Sequence, residues 1–152
     1  MTDYASLIGS IESLAEISCD MIPVTANAAA LLFHSMEDIN WAGFYFVKDG
    51  ALILGPFQGK IACVKIAKGK GVCGTAWEKD SVLSVPDVHA FPGHIACDAD
   101  SRSEIVLPIH RDGEVIAVLD IDSPIPGRFK KEDAAGLEAF ATALERIIGE
   151  KE

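Results

Sequence analysis

Four cysteines, Cys19, Cys63, Cys73 and Cys97, are the residues of this 152-residue chain best suited to covalent or redox chemistry. No two of them stand as Cys-x-x-Cys, which argues against a zinc knuckle or a thioredoxin-type motif. Cys73 lies in Gly69-Lys70-Gly71-Val72-Cys73-Gly74, a literal match to the dinucleotide fingerprint G-x-G-x-x-G. That fingerprint needs a βαβ unit around it, and here the flanking segments read as hairpins. A glycine turn entering a helix is the better reading, and it puts Cys73 near a helix N-terminus, where a thiolate is favoured. A zinc site can be drawn from Cys63, Cys73, His94 and Cys97. Only His94-x-x-Cys97 has a suggestive spacing, however, so no metal is expected. His89 and His94 read as polar loop residues and Cys19 as a packed thiol. Residue type alone does not choose the reactive cysteine, although the helix terminus favours Cys73.

A second chemical grouping follows from strand register. Glu104 to Ile109 and Val115 to Asp122 read as a hairpin around Asp112-Gly113. A three-residue loop, Arg111-Asp112-Gly113, sets Ile105, Leu107 and Ile109 against Leu119, Ala117 and Val115 and makes one face uniformly apolar. The other face then carries Glu104 opposite Asp120, with Asp122 two residues on. Three carboxylates that close repel unless a cation sits among them or one holds a proton. A solvated face of an amphipathic hairpin is the alternative, but Val106, Ile116 and Val118 make that face too apolar for open water. In the run Trp41 to Val47, Trp41, Gly43 and Tyr45 share one face, so Trp41 and Tyr45 can wall a pocket for an apolar or sulfur-bearing group. Ordinary core packing is the alternative for either ring.

The elements that must position these groups are legible in outline. The first 40 residues read as two helical pieces divided at Pro23. Trp41 to Val47 and Leu52 to Phe57 form a hairpin about Asp49-Gly50, and Ile61 to Ile66 is a third strand. Val72 to Lys79 is a short helix and Ser81 to Val85 a further strand. Pro86 to Arg102 is a long aperiodic loop of the kind that carries function. A helix from about Lys130 to Ile148 closes the chain, with Leu137, Phe140, Ala141, Leu144 and Ile148 on one stripe. This pattern predicts a single α+β domain over residues 1–152, an antiparallel sheet with its terminal helices on one face and a ligand pocket under loops on the other. The formal charge of −10, from 13 basic and 23 acidic side chains, argues against nucleic acid and anionic membranes as partners. No stretch matches a signal peptide or membrane span, so a cytoplasmic protein with reduced thiols is expected.

Several blocks together resemble a known family. They are Asn40-Trp41-Ala42-Gly43-Phe44-Tyr45, Leu54-Gly55-Pro56-Phe57-Gln58-Gly59, Phe91 to Asp98, Ser103-Glu104-Ile105-Val106 and Leu119 to Ser123. With the cysteine spacing at 63, 73 and 97, they resemble the free methionine-(R)-sulfoxide reductases from about residue 20 to residue 148. The resemblance implies a GAF fold enclosing free methionine-(R)-sulfoxide between the sheet and its loops. It implies Cys97 as the nucleophile that becomes a sulfenic acid, Cys63 as the resolving thiol and Cys73 as relay or alternative. Thioredoxin, drawing ultimately on NADPH, would restore the thiols, and no bound cofactor is implied. Trp41 and Tyr45 match the residues around the methyl-sulfur end; Glu104, Asp120 and Asp122 match the acidic binding residues. A carboxyl group kept neutral by its neighbours suits protonation of the departing oxygen, and the substrate ammonium lets the other acids stay ionised. Two alternatives stay open: a ligand-sensing GAF module without catalysis, and a zinc-stabilised interaction domain. The oligomeric state is open too, a homodimer included.

Overall fold

A computed structural model of the chain describes residues 1–94 and 99–149. Two helices lead, α1 (Tyr4–Ala15) and α2 (Met21–Ser35). The break between them falls at residues 16–20, not at Pro23. The proline sits in the first turn of α2, where its missing N–H has no intrahelical acceptor to lose. The strands β1 (Trp41–Lys48) and β2 (Ala51–Gly59) follow, joined at Asp49-Gly50 with both residues at positive φ. Next come β3 (Lys65–Ala67), α3 (Gly71–Lys79), β4 (Leu83–Val85) and a 3-10 turn at Val88–Ala90. The hairpin β5 (Ser103–Arg111) and β6 (Glu114–Ser123) precedes α4 (Lys131–Gly149).

The six strands form one antiparallel sheet in the order β3-β2-β1-β6-β5-β4. The third strand is shorter than the apolar run Ile61 to Ile66 suggests. Residues 61–64 leave the ladder, and only a bond from Leu54 N to Val64 O (3.0 Å) continues beside β2. Leu54 is followed by Gly55-Pro56, and a proline has no N–H with which to extend a ladder.

Alternation along the strands divides the sheet cleanly. Ala42, Phe44, Ile105, Leu107, Leu119 and Ile121 face α1, α2 and α4 in the main apolar core, with Ile11, Leu32, Leu137 and Phe140. Trp41, Tyr45, Val106 and Val118 face the other way and pack with Cys73, Ala76 and Trp77 of α3. The third helix is on that face for a topological reason. β3 and β4 are opposite edges of the sheet, so the connection between them must cross its whole width. The glycine motif starts that crossing: Gly69 and Gly71 take positive φ, and a Cβ on Gly74 would lie 2.5 Å from the Ala67 carbonyl.

The hairpin register is a correction. Its turn is the two-residue Asp112-Gly113, both at positive φ, with a bulge between Ile109 and His110. Glu104 therefore pairs with Asp122 and Val106 with Asp120, two positions from the predicted register. Because the shift is even, the three acids keep their common face.

At the bulge, His110 clasps the far end of α3 to α4. Its Nδ1 and backbone N lie 2.5 and 2.7 Å from Glu145 Oε2, and its Nε2 lies 2.6 Å from Asp80 Oδ1. Burial pulls the His110 pKa down, but the bonds to Asp80 and Glu145 outweigh it and leave a net upward shift. Only the doubly protonated ring donates to both carboxylates. A raised folded pKa gives stability that is complete below the ordinary value near 6.5 and is lost as pH rises through the shifted value. Urea unfolding of wild type and His110→Gln across this range should show the variant lacking that decline. The difference should be on the order of 1 kcal/mol, because the clasp is partly exposed to solvent screening.

Candidate active site

The cavity on the α3 face is lined by Trp41, Tyr45, Cys73, Glu104, Asp120 and Asp122. The first strand supplies its aromatic wall. Trp41 stacks on Tyr45 at 6.0 Å between ring centroids and on Phe57 at 5.2 Å. Gly43, between the two rings on the same face, makes this possible: a Cβ there would lie 2.3 Å from Phe57 Cβ and 2.8 Å from Trp41 Cη2. The polar ends of both rings hold the loop that carries Cys63. Trp41 Nε1 donates to Lys60 O (3.1 Å), and Tyr45 Oη donates to Cys63 O (3.0 Å).

Beside the wall on the same face of the sheet, Glu104 from β5 and Asp120 and Asp122 from β6 converge as predicted, and Cys73 from α3 joins them. Asp122 pairs with Trp41 and Asp120 with Gly43. Glu104 and Asp120 are only 7% and 5% exposed. Burial pushes both carboxyl groups well above their ordinary range, reinforced by the charge of Asp120 on Glu104 and of Asp122 on Asp120. One oxygen of each lies within 4.8 Å of the other, and two carboxyl groups buried so close are relieved when one holds a proton. Asp120 Oδ1 is buried without a hydrogen-bond partner, an acceptor with capacity to spare. The cluster can thus hold one proton and receive a compact cation.

Cys73 is in the first turn of α3, as expected, but it is no thiolate. Burial raises its pKa, followed by the charges of Asp120, Glu104 and Asp122. Desolvation and three carboxyl neighbours outweigh the helix terminus. One donor atom each from Cys73, Glu104 and Asp120 lie within 4.8 Å of one another, the only such grouping of potential metal ligands among the described residues. The zinc set drawn from the sequence is not available, because Cys63 is disulfide-bonded and offers no thiolate. Cys19 and Cys73 are free thiols. Cys97, implied as nucleophile by resemblance, lies outside the described residues.

His94 is a site residue that the sequence reading left on the surface. Its Nε2 is 3.8 Å from Glu104 Oε1, yet burial and then the nearby His89 lower its pKa. A neutral imidazole beside a protonated carboxyl is not an ion pair. The His94-x-x-Cys97 spacing inside the long loop was the available signal. Beyond it, Asn40 Nδ2 donates to Ser101 Oγ (3.3 Å) and Lys60 pairs with Asp100 (3.0 Å), so the chain after the loop is tied to the rim.

This sheet, with helices on one face and an enclosed cavity on the other, is that of a GAF domain, and the GAF domain family model matches residues 11–148. The free methionine-R-sulfoxide reductase of Escherichia coli is 50% identical over 145 residues, covering 95% of this chain and 88% of that one. The fRMsr of Staphylococcus aureus in its reduced form superposes with a TM-score of 0.94 at 49% identity, covering 97% and 96% of the two chains. The free methionine-R-sulfoxide reductase from Neisseria meningitidis in complex with its substrate gives 0.91 at 43%, covering 95% and 87%. The chain belongs to the free methionine-R-sulfoxide reductase family. No helix among the described residues is long and apolar enough to cross a membrane.

Proposed function

We propose that this chain reduces free L-methionine-(R)-sulfoxide to methionine by thiol chemistry, with thioredoxin as the final reductant. The observation that carries this conclusion is the buried carboxyl cluster adjoining the Trp41–Tyr45 wall in one cavity. A free amino acid sulfoxide presents an ammonium group for the acids and an apolar methyl-sulfur end for the rings. Cys97 attacks the sulfoxide sulfur, and the oxygen takes a proton from the cluster. The sulfur–oxygen bond breaks and the oxygen passes as hydroxide to the Cys97 sulfur. The transient sulfur–sulfur bond breaks with its electron pair on the substrate sulfur, leaving methionine and a Cys97 sulfenic acid. The Cys63 thiol condenses with the sulfenic acid to a disulfide and water. A dithiol then returns two electrons and two protons by exchange. Trp41 and Tyr45 position the methyl-sulfur end, Glu104, Asp120 and Asp122 the ammonium and the proton. Cys73 is the relay or alternative thiol. That Cys63 is already disulfide-bonded while Cys73 is a buried neutral thiol supports Cys63 as the principal resolving residue. No bound cofactor is required, and the cycle suits the reducing cytoplasm.

The test is thioredoxin-coupled NADPH oxidation with the free R epimer, the free S epimer and an N-acetylated R substrate. Turnover should be confined to the free R form, with the acetylated form slower by about 100-fold or more, because an amide cannot pair with the acids. Equal turnover of the acetylated form would refute ammonium recognition, and no turnover of any form would refute the reductase reading.

A further inference from the structure

The loop at residues 60–64 presents to solvent the opposite of what the chain presents overall. Between Asp49 and Glu78 the sequence has no acidic residue, yet it carries Lys60, Lys65, Lys68 and Lys70 in a chain of net charge −10. All four are exposed, with Lys60 paired to Asp100 and Lys70 at the substrate cavity, which leaves Lys65 and Lys68 beside the loop. Among them stand Ile61 at 89% and Val64 at 71% exposure, on either side of the disulfide-bonded Cys63. Val64 stands clear of the substrate cavity while Ile61 is at its rim, and both are exposed for a structural reason. The loop's inward carbonyls, at Lys60, Cys63 and Val64, are held by Trp41, Tyr45 and the Leu54 N–H. Two exposed apolar side chains flanking a disulfide-bonded cysteine, followed in the chain by the exposed Lys65 and Lys68, make a surface suited to contact.

We infer that this patch docks the dithiol protein that reduces the Cys63 disulfide, an inference that rests on the reductase reading. The partner it fits has apolar surface around its reactive cysteine and an acidic exterior, complementary to the two apolar side chains and to the local excess of lysine over acid. In the docked complex the partner's thiolate attacks the Cys63 sulfur. A mixed disulfide forms at Cys63 and the sulfur formerly bonded to it leaves as a thiolate. The partner's second thiol then attacks its own mixed-disulfide sulfur and releases the Cys63 thiolate. The partner ends as a disulfide, and this chain gains two electrons and, with solvent protons, two thiols.

Val64→Asp and Lys65→Glu alter the patch outside the substrate cavity. Turnover of free methionine-(R)-sulfoxide is measured with thioredoxin and, separately, with dithiothreitol, which needs no docking surface. The expected result is a rise of about tenfold in the KM for thioredoxin in Val64→Asp, with dithiothreitol-driven turnover unchanged. Lys65→Glu should raise the same KM several-fold, and wild type should show a KM for thioredoxin, but not for dithiothreitol, that climbs with salt. If Val64→Asp fails to fold, Lys65→Glu and the salt series decide. Unchanged KM for thioredoxin in the folded variants overturns the inference while leaving the reductase reading intact. Wild type inactive with dithiothreitol overturns the reductase reading itself. A concentration-dependent dimer of wild type that Val64→Asp dissolves would assign the patch to a second copy of this chain and overturn the inference.

Discussion

Glu104→Gln is expected to give a protein that melts higher than wild type and turns over about 100-fold more slowly in kcat/KM. Both effects come from one cause. Glu104 is buried against Asp120, and its folded pKa is raised well above the ordinary carboxylate range, first by that burial and then by its neighbour's charge. The folded state therefore holds its proton more tightly than the unfolded chain does. Stability from this group is complete below the unfolded value and is lost as pH rises through the folded one. Near neutral pH the wild-type free protein has lost part of it, whereas glutamine has nothing to lose. A change of about 1 kcal/mol corresponds to roughly 2–4 °C in Tm for a chain of this size. The gap between variant and wild type should widen from acid to neutral pH, as calorimetry at two pH values would show. The amide cannot supply a proton to a departing oxygen or charge to an ammonium, so the kinetic loss accompanies the gain in stability. Identical melting and kinetics in the two proteins would return Glu104 to the role of an ordinary polar strand residue.

Cys97→Ser is expected to abolish methionine formation, a loss of about 10⁴-fold or more, because a neutral hydroxyl neither attacks sulfur readily nor accepts its oxygen. The informative companion is Cys63→Ser. With its nucleophile intact, it should release one methionine per protein and then stall as the sulfenic acid, detectable by a dimedone adduct on the intact mass. Sustained thioredoxin-driven turnover in Cys97→Ser would move the nucleophile elsewhere. Cys73, neutral and buried beside Asp120, would be the thiol to try next.

What could be read from the sequence was set by parity and composition, and what could not was set by long-range packing. Face assignments along β1, β5 and β6 needed only alternation, so the aromatic wall and the three acids were legible. The exact pairing was not. A two-residue turn in place of three and a bulge between Ile109 and His110 each moved the register by one, taking Glu104 from Asp120 to Asp122. Neither is marked by the apolar alternation that set the prediction. Cys73 was misjudged because a helix terminus is local, whereas the carboxyl groups that outweigh it come from strands more than thirty residues away. His94 was missed for the same reason. The apolar run Ile61 to Val64 mimicked a strand, but it leaves the sheet with Ile61 and Val64 exposed and Ala62 and Cys63 packed inward.

The two-sided sheet has a consequence for how this chain can diverge. Ala42, Phe44, Ile105, Leu107, Leu119 and Ile121 sit one step from Trp41, Tyr45, Glu104, Val106, Asp120 and Asp122, yet the two sets share no common space. Point changes in the second set can retune what is bound while the packed layer that keeps the chain folded goes untouched. A one-residue insertion in β1, β5 or β6 exchanges the sets and ruins both at once. Lineages descended from such an ancestor are free to substitute at alternate positions along these strands and are barred from changing their length.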